Sequence, residues 1–151
     1  MYVIVVGCGR VGGTLAMRLS RAGHEVTVID HVGSSFAHLD EGFLGRTVEA
    51  NPLAEDVLRN ADIERADAVA AVTNSDTVNA VVAHVARAIF RVPTVAARNY
   101  DPDRLVLHDA FGLEAVSTTA WGSARFEEIV TAADRPVRSA ARPGRDSGKG
   151  A

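Results

Sequence analysis

An apolar run, Val3-Ile4-Val5-Val6, passes directly into Gly7-Cys8-Gly9-Arg10-Val11-Gly12, and a stretch with helical spacing opens at Arg10. The hexapeptide matches G-x-G-x-x-G. Alone the pattern is weak, but between a strand and a helix it restricts the chain to a few folds. Gly7 suits a tight turn, Gly9 lets the backbone approach a pyrophosphate, and Gly12 lets the helix pack closely on a sheet. Phosphates would then sit at the helix N-terminus, where unpaired N–H groups and the helix dipole favour negative charge. Asp30 follows Gly12 by 18 positions and ends a second β-branched run, Glu25–Ile29. A carboxylate there can accept hydrogen bonds from both hydroxyls of an adenosine ribose and would repel a 2′-phosphate. NAD(H), ATP, ADP or AMP are therefore preferred over NADP(H). His31 is the complication, because a protonated imidazole would offset that repulsion. The bland alternatives are a glycine turn without a ligand and a carboxylate that merely closes a strand.

The rest of the chain continues the alternation. Strands are expected at Tyr2–Val6, Glu25–Ile29, Arg46–Glu49, Ala68–Val72, Thr94–Ala97 and Ala115–Val116. Helices are expected at Arg10–Ala22, Ser34–Glu41, Leu53–Ala61, Thr77–Phe90, Pro102–Ala110 and Ala120–Ala133. Continuous apolar strands suit a parallel sheet covered on both faces. The expected fold is a single Rossmann-type α/β domain, a doubly wound parallel sheet of order 3-2-1-4-5-6, over residues 1–134. Residues 135–151 carry five cations against Asp146, with prolines and glycines and no aromatic residue; they read as a solvated, disordered basic tail rather than an arm for nucleic acid. The helix around Ala80–Phe90 has only His84 and Arg87 as strongly polar residues, so it should bury a second face against another copy, a dimer at least.

Several function classes are disfavoured. With 47% apolar and 23% charged residues and no apolar stretch of roughly 20, the chain has no expected membrane span. Its start has no signal-peptide pattern, so a cytoplasmic location is expected. A single cysteine, Cys8, allows no internal disulfide, and the five histidines show no ligand spacing, so no metal site is expected. Cys8 could be redox-responsive beside a helix N-terminus, but small-residue filler is the better reading. No catalytic residue is assigned. Lys149 is the only lysine, which removes the Tyr-x-x-x-Lys pair of short-chain dehydrogenases, and little chain is left for a substrate pocket.

Three blocks carry a family resemblance: Val5–Gly12, Gly23–Asp30 and Ala66–Asn79, the last containing Val72-Thr73-Asn74-Ser75-Asp76. Over Met1 to Ala133 the sequence resembles the TrkA N-terminal, or RCK (regulator of potassium conductance), family of nucleotide-binding domains. The resemblance implies a nucleotide-sensing regulatory subunit or domain of a potassium channel or transporter, not an enzyme. It implies binding of NAD(H) or ATP/ADP/AMP and conformational switching of an oligomer. The implied site comprises Gly7, Cys8, Gly9, Arg10, Val11, Gly12, Asp30, His31, Asn51, Thr73, Asn74 and Arg98. Thr73 and Asn74 belong to the turn near the distal ribose or phosphate, and Ala97-Arg98-Asn99 resembles the family's fifth-strand end before an Asp-Pro step. The arginine matching Arg10 can meet nucleotide phosphate across a subunit contact. Where the family usually has Gly-Asp touching adenine, this chain has Ala50-Asn51, which leaves base preference open. The implied partners are a potassium-translocating membrane subunit, further copies of the chain, and a separate subunit carrying a C-terminal RCK domain if none follows here. The location would be peripheral to the inner face of the cell membrane. The alternatives are a cofactor-binding fragment of an NAD-dependent oxidoreductase and a scaffold that no longer binds nucleotide.

Overall fold

The computed structural model describes residues 1–132. Six parallel strands form one sheet: β1 (Tyr2–Val6), β2 (Glu25–Asp30), β3 (Arg46–Glu49), β4 (Ala68–Ala71), β5 (Thr94–Asn99) and β6 (Glu114–Ser117), in the order β3-β2-β1-β4-β5-β6. This is the expected Rossmann-like topology. Helices α1 (Arg10–Arg21), α2 (Glu55–Asn60), α3 (Asp76–Ala88), α4 (Leu105–Ala110) and α5 (Thr118–Thr131) complete the described residues. The proposed tail, 135–151, lies outside them.

β1 is buried along its whole length, and its alternating side chains divide between two cores. Val3 and Val5 join Cys8, Ala16, Val26 and Val28 beneath α1, whereas Ile4 and Val6 join Leu58, Val69, Val82 and Ala83 beneath α2 and α3. An apolar run without polar alternation is what a doubly covered central strand requires. Because β1 pairs with both β2 and β4, the connections leaving β1 and β4 diverge and open a crevice at the carboxyl ends of the strands. No helix among the described residues is long and apolar enough to cross a membrane.

Two expected helices differ. The helix expected over 34–41 is a 3₁₀ turn, Gly33–His38, with Leu39 already extended. Beyond it Asp40 accepts the Gly42 N–H at 2.8 Å and pairs with Arg21 at 2.5 Å. That short-range acceptor offers the backbone an alternative to the helix. Similarly, the segment from Pro102 begins as a 3₁₀ turn, Pro102–Arg104, capped by the Asp101 side chain on the Asp103 N–H at 3.1 Å, before α4 starts. α5 starts at Thr118, two residues before expectation, because Ser117 accepts the Ala120 N–H and supplies the cap.

Candidate nucleotide-binding cleft

The three fingerprint glycines serve different neighbours. Gly7 has φ +99°, and a Cβ there would lie 2.8 Å from the Thr73 backbone nitrogen, so the turn leaving β1 needs glycine for its own geometry and to approach the β4 loop. A Cβ on Gly12 would lie 1.8 Å from the Gly7 carbonyl oxygen, which fixes how closely α1 sits on its own turn. Gly9 caps α1, and a Cβ there would meet nothing within 4 Å. Its missing side chain leaves room on the cleft side rather than inside the protein.

Asp30 is almost buried at 8% exposure. Oδ2 accepts the Cys8 N–H at 2.7 Å and Oδ1 accepts the Val32 N–H at 2.9 Å. The carboxylate thus braces the glycine turn, and each oxygen keeps a lone pair for a ribose hydroxyl. The His31 imidazole lies 3.6 Å from Oδ1 and is mostly exposed. Cys8 reaches this network through its backbone alone. Its side chain is fully buried in the α1-side core, where burial first and the Asp30 carboxylate second push the thiol up to about 11, leaving it protonated at neutral pH.

A cleft of about 510 Å³ opens over this turn and is lined by Gly7, Gly9, Arg10, Val11, Asp30, His31, Thr73, Asn74 and Arg98. Cys8 and Gly12 stand behind it, and Asn51 lies in an adjoining cleft of about 450 Å³ that shares His31, Pro52, Thr73 and Asn74 with the first. All twelve expected site residues therefore lie in, beside or directly behind one connected crevice. Among the described residues neither Arg10 nor Arg98 has a carboxylate partner, so two cations without a counter-charge line the space beside a helix N-terminus. The Arg98 guanidinium stacks on Tyr100, 3.8 Å from the ring centre, and its Nε donates to Thr118 Oγ1 at 3.3 Å.

Asn79 is the positioning residue that the expected site omits. Fully buried on α3, its Oδ1 accepts both the Thr73 N–H (2.8 Å) and hydroxyl (2.7 Å), and its Nδ2 donates to the carbonyls of Thr73 (3.2 Å) and Arg98 (3.0 Å). One side chain locks the β4 turn to the end of β5. The available signal was an amide on the apolar face of a helix, which must be satisfied if buried. Tyr100, Pro52 and Ser35 also line the cleft without having been singled out. No group of three or more metal-ligating side chains occurs among the described residues.

The model of the TrkA-N domain matches residues 3–119. The chain belongs to the TrkA-N family. A "Trk system potassium uptake protein TrkA" of Streptomyces coelicolor is 45% identical to this TrkA-N chain over 121 residues, covering 80% of the chain and 54% of the relative. The protein of the same description from Halomonas elongata is 40% identical over 116 residues, covering 77% of the chain and 25% of the relative. The chain thus spans about half the length of the first relative and a quarter of the second. Among solved structures, the Kef C-terminal domain of Shewanella denitrificans in AMP-bound form superposes with a TM-score of 0.78 at 17% identity, covering 91% of this chain and 84% of that one. The GsuK channel bound to NAD gives 0.65 at 23% identity, covering 76% and 21%. At such identities these structures bear on the fold.

Proposed function

We propose that this TrkA-N chain is a nucleotide-sensing regulatory subunit or domain of a potassium transport system, without catalytic activity of its own. It binds NAD(H) or an adenine mononucleotide such as ATP, ADP or AMP, and its occupancy alters an oligomeric assembly beside a potassium-translocating membrane subunit. The observation that carries the reading is Asp30, held by two backbone N–H groups at the rim of a cleft that combines a helix N-terminus with two arginines lacking a carboxylate partner among the described residues. A polyanion with a free ribose diol is the ligand class that such a set complements. The potassium-uptake relatives, the NAD-bound channel and the AMP-bound Kef domain support the same assignment. Switching has a physical route in Arg98, which faces the cleft and holds the first residue of α5. Phosphate at Arg98 would reset the Thr118 bond and with it the start of that helix.

Calorimetric titration of the chain with NADH, NAD, ATP, ADP, AMP and NADP tests the reading. Binding of at least one of the first five, with NADP weaker than NAD, is expected, and Asp30→Ala should weaken it by about 1–3 kcal/mol, the scale of hydrogen bonds to a charged group. Absence of binding by all of them would overturn the proposal.

A further inference from the structure

The adjoining cleft contains the polar group that would meet a nucleotide base. Asn51 follows the carboxyl end of β3, where the Ala50 N–H is held by the Asp30 carbonyl at 2.9 Å, so Asn51 is tied to the strand that ends in the ribose-facing carboxylate. The cleft it lines has Pro52 and Val78 as apolar surface for a ring, and it meets the first cleft at His31 and Thr73. A ribose on Asp30 with phosphates over the glycine turn therefore leaves this space for the base.

The Asn51 amide has a defined orientation. The Leu53 N–H points at its terminal atom at 3.0 Å, and only an oxygen can accept that proton. Oδ1 is committed to the turn, and among the described residues Nδ2 has no partner. What Asn51 has to spare is a donor pair. Adenine carries an amino group at C6 and acceptors at N1 and N7; hypoxanthine carries a carbonyl at C6 beside the N7 acceptor. An amide N–H₂ finds an acceptor on either purine. Among the described residues no carboxylate lines this cleft, so none there demands an amino group or is repelled by a carbonyl. Strong discrimination requires that the wrong base leave a buried polar group unpaired, and the neighbouring Asn74 amide and His31 do not impose that condition.

We infer that Asn51 makes the base site permissive at purine C6, so that this chain takes 6-oxopurine nucleotides alongside adenine nucleotides. The inference rests on the nucleotide-binding reading above. ATP and ITP differ only at the C6–N1 edge, an amino group beside an N1 acceptor against a carbonyl beside an N1–H donor, and calorimetric titration of the chain with each is the test. An ATP:ITP affinity ratio below five is expected, and Asn51→Asp, which replaces the donor with an acceptor for the amino group, should raise the ratio at least fivefold. A ratio of five or more in the unsubstituted chain overturns the inference while leaving nucleotide binding intact. A ratio unchanged by Asn51→Asp removes Asn51 as its cause. Failure of both nucleotides to bind, with NAD and AMP also silent, is instead the failure of the underlying reading.

Discussion

The centre of the sheet and its β6 edge are built to different standards. On the β1–β2–β4 side every residue of β1 is buried, and Asp30 uses both oxygens. On the β5–β6 side, β6 alternates between exposed and half-buried, and α5 buries no residue at all. α5 instead presents Trp121 (76% exposed), Phe126 (72%) and Val130 (75%) to solvent. Asn79 on one side makes four hydrogen bonds, whereas the equally buried Asn99 has, among the described residues, no partner for either side-chain atom. The part of the chain around the glycine turn is braced by its own hydrogen bonds, and the part beyond β5 exposes apolar surface of the kind that marks a contact with another molecule. The boundary runs through Arg98, which faces the cleft and bonds to the first residue of α5.

The sharpest contrast is expected from two glycines. Gly12→Ala places a methyl against the Gly7 carbonyl and should cost about 3 kcal/mol or more in urea unfolding. Gly122→Ala, in an α5 position with no neighbour within 4 Å of the added methyl, should stabilise by up to about 1 kcal/mol through helix propensity. Equal losses at both positions would erase the distinction.

A smaller gap should separate the two buried asparagines. Asn79→Ala strands the Thr73 N–H and the Arg98 carbonyl and should lower stability by about 2–3 kcal/mol, with reduced nucleotide affinity because the Thr73 turn loosens. Asn99→Leu removes two unpaired polar atoms and should change stability by no more than about 1 kcal/mol in either direction. Denaturation of the two variants side by side measures the difference.

What the sequence makes legible follows the same division. The strand–turn–helix around Gly7 and the arrival of Asp30 at its side are local patterns with fixed spacing, and the sheet order follows from the run of crossovers. The brace from Asp30 to the Cys8 N–H joins residues 22 apart, and the Asn79 lock joins three elements; both depend on packing that no local pattern encodes. The segment from Ser34 carries helical spacing, but the Asp40 turn competes with it and a 3₁₀ turn forms instead. The apolar face expected on α3 is present in exposed Val81, with exposed Ile89 just past the helix end, and a second uncovered apolar surface, which no spacing marks, belongs to α5.

The smallest stability effects should come from that helix. Trp121→Ala and Phe126→Ala should each shift unfolding by less than about 0.5 kcal/mol, as at other exposed positions, while lowering the assembled fraction seen by light scattering. A large stability loss with unchanged mass would mean that α5 packs within its own chain.

The coupling between the two sides is tested most directly by hydrogen–deuterium exchange of the chain with and without saturating ADP or NAD. Slowed exchange in the glycine turn at 7–12, together with changed exchange at 117–121 that disappears in Arg98→Ala, is the predicted result. Protection of the glycine turn with the start of α5 unaffected would contradict the account.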